Sequence, residues 1–496
     1  MDTLTSYKAH LMERSKLGSA IALLGWDQHS HMPKKGVAFR SQVIGKLSKM
    51  FFEQSVSDEL GAYLDELETQ DGLSAEEKGS VRLVGKSYRR QKAVPPDFVE
   101  EFAVARSNAQ AAWAKAREAS SFADFEPHLN TMVDYARKFA DYYGYEEHPY
   151  DALIEGFEPG MTCAELRGII EPLREELAPF LARLMKDGTK PDTSVLTGTF
   201  DIETQRELAR RALEVVGYDF DAGGLDDVPH PFTTTIGPGD VRVTNRYSEV
   251  HLGPGLFAAL HEGGHALYNQ GNADTLYSLG IGGGASNGIH ESQSRMIENQ
   301  IGRSRAFLRF FQPILAEYFP RYETVDPEAL YGAVNDASPS LIRVEADELT
   351  YNFHIMLRFE IEAGLIDGSI AVSDLPRLWN EAMEGYLSIV PPDDAQGVLQ
   401  DVHWSMGAFG YFPSYMLGNL YAAQMFATIR QELPELDHQI GAGEFAPLLS
   451  WLRENVHQLG GIYEPKELIQ KITGGTLDPS HFVRYVTTKY SDLYKL

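Results

Sequence analysis

Cysteine is nearly absent, since Cys163 is the only one in 496 residues. A lone thiol excludes an intramolecular disulfide framework and fits a reducing compartment. Long apolar runs are missing too, and no stretch approaches the roughly eighteen residues that a membrane helix needs. Residues 1–7 lack a basic start followed by an apolar core, so no secretory signal is expected there. Positive charge is scarce, with 44 Lys and Arg against 71 Asp and Glu and a formal net charge of −27. That balance disfavours nucleic acid and anionic membrane as partners and favours solubility. The expectation is a soluble, cytoplasmic protein. No internal repeat, low-complexity tract or long linker marks a domain boundary, so a single large helical body is as compatible with the length as two or three average domains.

What is present is helical periodicity. Apolar positions recur at three and four from Leu4 to Leu24, as in Leu17, Ile21 and Leu24. Gly25 to Gly36 reads as a turn-rich break, and His29 and His31 within it are assigned no ligand role. Val37 to Leu67, Ala75 to Lys92, Pro95 to Ser120 and Phe122 to Tyr143 read as successive amphipathic helices, followed by Cys163 to Lys186 and Ile202 to Val216. Only one region reads as β: Phe232 to Ile236 and Asp240 to Tyr247 carry β-branched residues around the turn Gly237-Pro238-Gly239, the pattern of a hairpin.

Directly after the hairpin, the apolar run from Leu256 to Tyr268 contains His261-Glu262-Gly263-Gly264-His265. On a helix, residues four apart differ by about 40° around the axis, so the two histidines share a face with spacing that suits one zinc ion. Glu262, about 100° away, flanks the metal and can take a proton from a water attacking a carbonyl. Composition alone yields on the order of 0.03 such arrays in a chain of this length. Adjacent glycines inside a helix cost roughly 1 kcal/mol each against Ala, so Gly263 and Gly264 imply that a substrate or a neighbouring backbone approaches closely.

The third ligand lies elsewhere, because Gly271 stands where a His six residues after His265 would be. Ser286-Asn287-Gly288 offers a helix start followed by His290 and Glu291, whose side chains diverge by about 100°, so only one can face an ion. Glu291 is equally compatible with an i,i+4 salt bridge to Arg295 on a solvated face, and Glu298 is a weaker ligand candidate. Downstream, Ile342 to Glu348 crowds charges into a helix-like segment continuing to Glu362, and Gly397 to Tyr415 gathers His403, several aromatics and several Gly/Pro positions.

Taken together, these stretches resemble the carboxypeptidase Taq family of zinc-dependent metallocarboxypeptidases across essentially the whole chain. His230-Pro231-Phe232 matches its HPF motif, Asp240 to Thr244 matches DxRxT, and His261 to His265 matches the zinc array. His290 to Gln293 matches HESQ, Ile342 to Asp347 matches IRxxAD, and Gly397 to Trp404 matches GxxQDxHW. The resemblance implies a mainly α, gluzincin-type body, residues 1–496 as a single domain, with two helical lobes flanking a deep groove and a small β-hairpin or sheet beside the metal helix. It implies one zinc ion per chain, with cobalt able to substitute, held by His261, His265 and Glu291, and Glu262 as general base and then general acid. Arg343 would bind the substrate's terminal carboxylate, with His230, Asp240, Arg242 and Thr244 as further substrate-binding positions. His403 and Tyr411 or Tyr415 would stabilise the oxyanion. The implied protein is a cytoplasmic homodimer that removes single C-terminal residues from peptides with a free C-terminus, with broad specificity but poorly at proline. An endo-acting zinc oligopeptidase on the same architecture is the nearest alternative. A catalytically silent metal-binding protein is the other, though a closed structural site has no use for the base Glu262.

Overall fold

A computed structural model describes residues 2–496. The protein is mainly α-helical, as expected, with one three-stranded sheet. Its contacts divide it into two compact units: Met1–Gln91, Pro191–Asn335 and Tyr421–Leu477 form the first, and Lys92–Lys190, Asp336–Leu420 and Asp478–Leu496 the second. Among the described residues no helix is long and apolar enough to cross a membrane.

In the first unit, the opening helix Thr3–Ser30 is capped by the Asp2 carboxylate, which accepts from the Thr5 N–H. The turn-rich break expected at Gly25 starts later. Gly25 is tolerated in the helix, the Ser30 hydroxyl bonds the Trp26 carbonyl, Asp27 pairs with Arg40 at 2.6 Å, and the chain turns at His31–Pro33. Pro33 has no N–H for a further turn. The segment Val37 to Leu67 is two helices, Val37–Ser55 and Asp58–Leu67, with the Ser57 hydroxyl capping the second. Tyr7 and Leu11 pack with Leu60, Leu64, Val81 and Val84 in a buried cluster.

The hairpin is present as β2 (Thr233–Gly237) and β3 (Asp240–Asn245), paired antiparallel, with Gly239 in the left-handed region at φ 74°. Val241 and Val243 alternate into the core, as a half-buried strand requires. A short strand, β1 (Leu225–Asp227), adds parallel to β3, giving the order β1-β3-β2. Leu-Asp-Asp shows no alternation, so nothing local announced it. The helix that follows, Gly253–Gln270, opens with Pro254 in its first turn.

In the second unit, the helix-like stretch expected from Ile342 to Glu362 is interrupted. Arg343–Glu345 form a single 3₁₀ turn, the Asp347 carboxylate accepts from the N–H groups of Leu349 and Thr350, and the α-helix runs only over Tyr351–Asp367. A carboxylate that satisfies the first free N–H groups marks a helix start, which is why the charged run does not propagate as one helix.

Candidate metal centre

His261 and His265 project from the same face of helix Gly253–Gln270, and their Nε2 atoms lie 3.7 and 3.3 Å from one oxygen, Oε2 of Glu291. Glu291 belongs to helix Asn287–Arg295, whose N-terminus is capped by the Ser286 hydroxyl. Glycine makes the approach of the two helices possible. A Cβ on Gly264 would lie 2.5 Å from both the carbonyl oxygen of Gln293 and Cα of Ser294, so the neighbouring backbone that the glycine pair implied is that of the glutamate helix. The second glycine, Gly263, is pressed instead by the Leu213 side chain.

Each imidazole is held from behind. Nδ1 of His261 lies 3.0 Å from Oε2 of Glu298, and a carboxylate can only accept, so the proton sits on Nδ1 and Nε2 keeps its lone pair. For His265 the fixing is indirect: Oδ1 of Asn269 accepts from Nε2 of His290 at 3.1 Å, which leaves Nδ1 of His290 to accept from Nδ1 of His265 at 2.6 Å. Both Nε2 lone pairs therefore face Glu291. Ligand atoms of His261, His265 and Glu291 lie within 4.8 Å of one another, and two imidazoles with one carboxylate is a donor set that suits zinc with a position left for water. The residues present fit a metal ion.

Glu291 also makes the salt bridge that the sequence allowed, because Nε of Arg295 donates to Oε1 at 2.7 Å. The two roles fall on its two oxygens, and the face is not solvated, since Glu291 is only 5% exposed. Burial by itself would raise its pKa. The Arg295 guanidinium works against that, and the carboxyl is held well below the usual range. Glu298 is no ligand here but the partner of His261, Arg295 and Arg303, and it lies on a π-helical stretch, Met296–Gly302. Burial is again outweighed, in this case by the His261 hydrogen bond and the two arginines, and its carboxyl is lowered to about 2.

Glu262 is buried, at 8% exposure, and carries a partner that sequence reasoning missed. The Thr233 hydroxyl lies 2.8 Å from both the Glu262 carbonyl and Oε2 of its carboxylate. A hydroxyl can donate to the ionised carboxylate and accept from the protonated one, so Thr233 steadies Glu262 in either state. Its position directly after His230-Pro231-Phe232, and facing inward on β2, was the available signal.

The remaining hairpin residues divide. Arg242 is held by Asp240 through two 2.8 Å bonds and stacks 4.1 Å over Trp26. His230 is exposed. Thr244 is fully buried, and its hydroxyl accepts from the N–H and donates to the C=O of Phe232, pinning the strand ends together. His29 packs against Phe232 and His31 pairs with Asp226.

The second unit gathers the other set. Arg343, 4% exposed, donates from Nε and Nη2 to Oδ1 of Asp401 at 3.2 and 2.7 Å, and from Nη1 to the Tyr351 hydroxyl at 2.8 Å. His403 stacks on Tyr411 with ring centroids 5.4 Å apart and meets Tyr415 edge-on at 6.5 Å, while Arg343 lies 5.0 Å over the Tyr415 ring. Burial lowers the His403 pKa to about 4 against the pull of Asp401, so the ring is neutral. Close by, Glu362 is fully buried and accepts from the Tyr150 hydroxyl, Nε1 of Trp404 and the Gly410 N–H at 2.6, 2.7 and 2.9 Å.

A helical body with a His-His-Glu donor triangle and a buried carboxylate beside it belongs to the metal-dependent class. The model of the carboxypeptidase Taq (M32) metallopeptidase family matches residues 6–490. Carboxypeptidase 1 of Bacillus subtilis is 42% identical, covering 97% of each chain, and thermostable carboxypeptidase 1 of Thermus thermophilus is 40% identical with the same coverage. The crystal structure of the M32 carboxypeptidase from Deinococcus radiodurans superposes with a TM-score of 0.97 at 36% identity, covering 100% of both chains. This chain belongs to the M32 carboxypeptidase Taq family.

Proposed function

We propose that the protein is a zinc carboxypeptidase that removes single residues from the free C-terminus of peptides, with broad specificity and poor action at C-terminal proline. The observation that carries this is the convergence of His261, His265 and Glu291 beside the Thr233-bonded Glu262. One zinc ion per chain, replaceable by cobalt, would be held by those three residues, and when bound it supplies Lewis acidity to water and carbonyl. Glu262 takes a proton from the water whose oxygen attacks the carbonyl carbon of the last peptide bond. It returns that proton to the amide nitrogen as the C–N bond breaks, so the products are a shortened peptide with a new carboxylate and a free amino acid. Neutral His403, with Tyr411 or Tyr415, donates hydrogen bonds to the oxygen that gains charge during attack. Arg343 receives the substrate's terminal carboxylate, and this distinguishes removal of end residues from internal cleavage. Following the family resemblance, the enzyme works in the cytoplasm as a homodimer, with the whole chain acting as one peptidase domain.

The test is a cycle between Arg343 and the substrate's end group. Removing one partner of a buried charge-assisted pair is worth about 2–5 kcal/mol, so Arg343→Ala should lose roughly 30-fold to several thousand-fold in kcat/KM on an unblocked peptide. A C-terminally amidated peptide should be poor for the parent enzyme and lose little more in the variant. Equal proportional losses on both peptides would make Arg343 structural and remove the basis for the exopeptidase assignment.

A further inference from the structure

Arg343 does not stand alone against Asp401. Arg358, on helix Tyr351–Asp367 and fully buried, donates from Nε and Nη2 to the other carboxylate oxygen, Oδ2, at 2.8 and 2.5 Å. Its remaining hydrogen bonds go inward, to the His354 carbonyl at 2.7 Å and Oε1 of Gln400 at 2.9 Å, and its guanidinium carbon lies 4.6 Å from the centroid of the Trp379 ring. Four of its five N–H donors are thereby committed inside the protein. Arg343 differs: three donors are used, which leaves one N–H on Nη1 and one on Nη2. Gln400 ties the two arginines together, since the same Oε1 accepts from the Arg343 backbone N–H at 2.9 Å.

The charges do not cancel. Two guanidinium groups share one carboxylate, and among the described residues no other carboxylate forms an ion pair with either. His354 is pushed down to about 3, by burial first and then by the two arginines, and His403 to about 4, so both rings are neutral. Glu362, one turn along the helix from Arg358, is the next carboxyl. Its oxygens are occupied by Tyr150, Trp404 and Gly410, and burial raises it to about 7, so below that pH it keeps its proton. A buried group with one uncompensated positive charge is costly unless an anion arrives, and removing one of two paired charges leaves the other exposed to the full penalty.

The geometry points to Arg358 as a positioning residue for carboxypeptidase specificity: by taking half of Asp401, it leaves the Arg343–Asp401–Arg358 triad with a surplus positive charge that one substrate carboxylate neutralises. Arg358 itself offers the substrate nothing. It acts through Asp401, which would otherwise cancel Arg343 as a receptor. The inference rests on the assignment of Arg343 to the terminal carboxylate.

The experiment measures kcat/KM on a free and an amidated peptide with the metal-loaded full chain at about pH 6.5, where the Glu362 proton is mostly retained. The free-over-amide preference is the readout. Arg358→Met lowers the surplus from one to zero and should reduce the preference about tenfold or more, mainly through KM. Arg358→Lys keeps the charge without the fork and should recover most of that preference. The double variant Arg358→Met/Asp401→Asn restores a surplus of one and should regain preference relative to Arg358→Met, which a packing role for Arg358 would not produce. The parallel Arg343→Ala separates the two ideas. If it keeps the preference, the carboxylate assignment of Arg343 fails; if it abolishes the preference while Arg358→Met retains it, only the inference about Arg358 fails. Equal losses in Arg358→Met and Arg358→Lys overturn it as well, and Arg358→Gln set against Arg358→Lys makes the same comparison of charge removed with charge kept should the methionine variant not fold.

Discussion

At the residue scale, the centre is a set of directed lone pairs. His261 and His265 were legible because a four-residue spacing on a helix puts two side chains on one face whatever surrounds them. Their orienting partners, Glu298 and His290, were not assigned as such, because a hydrogen bond to Nδ1 depends on how the helices are packed and not on spacing along one of them. The same holds for Thr233, 29 residues from Glu262 in the chain. If Glu262 is the base, Glu262→Gln should leave metal content near about one ion per chain while turnover falls by at least ~10²–10⁴-fold, because the amide keeps the shape but cannot accept the proton. Metal analysis alongside peptide hydrolysis checks this, and loss of bound metal in the variant would reassign Glu262 as a ligand.

At the scale of elements, a single close approach sets the centre. Gly264→Ala places a methyl against the backbone at Gln293 and Ser294, which cannot swing aside as a flexible side chain can. The expected result is about 1–3 kcal/mol of destabilisation together with weaker zinc binding, because Glu291 rides on the displaced helix. Gly168→Ala is the contrasting case: that glycine lies within helix Cys163–Asp187 with nothing near its Cβ position, so the same change should stabilise by about 0.5–1 kcal/mol. Chemical denaturation of both variants, with a zinc titration of the first, makes the comparison; similar effects at the two sites would remove the close approach as the cause.

A second element, helix Tyr351–Asp367, is buried almost all round yet carries His354, Arg358 and Glu362 at four-residue intervals. Burial raises the Glu362 pKa from 4.5 to about 7, outweighing the three hydrogen bonds its oxygens accept. A carboxyl whose folded pKa is raised holds its proton more tightly when folded, so unfolding releases a proton between about pH 4.5 and 7. Its contribution to stability is therefore complete below the unfolded pKa and falls as pH rises through that window, by a total of order 3 kcal/mol. Buried neutral His354 and His403, with lowered pKa values, make stability rise over much of the same range. The Glu362 part is therefore a downward component within a net rise, and Glu362→Gln should make unfolding free energy climb more steeply with pH than in the parent. An unchanged slope in the variant would remove the Glu362 component.

At the scale of the whole molecule, metal and fold are linked. The donors come from two helices of the first unit, so an ion that binds the folded state and not the unfolded one adds stability, about 2.7 kcal/mol at a hundredfold excess over Kd. Stripping the metal with a chelator should lower Tm by a few degrees, zinc should restore it, and Glu291→Ala should remove most of the increment. A melting temperature indifferent to zinc would mean that the triangle binds no ion in solution. The net charge of −27 acts at this scale too, through self-repulsion that favours solubility, and carries no information about the fold.

By itself the sequence determined what depends on near neighbours. Helix Pro96–Ala119 opening at its prolines, the β2–β3 hairpin around Gly239 and the facing histidines all follow from spacing, capping and turn chemistry over a few residues. Even so, local signals misplaced the break after the first helix and ran a charged stretch into a helix that begins only at Tyr351. Tertiary structure alone decided that Glu291 faces the histidines with one oxygen and Arg295 with the other, that β1 joins β3, and that Asp401 is shared between two arginines from separate segments. Those outcomes turn on which surfaces pack together across long stretches of chain. A carboxylate's partner is chosen by the direction and distance at which packing delivers it, and neither quantity is written in the spacing of residues along a single element.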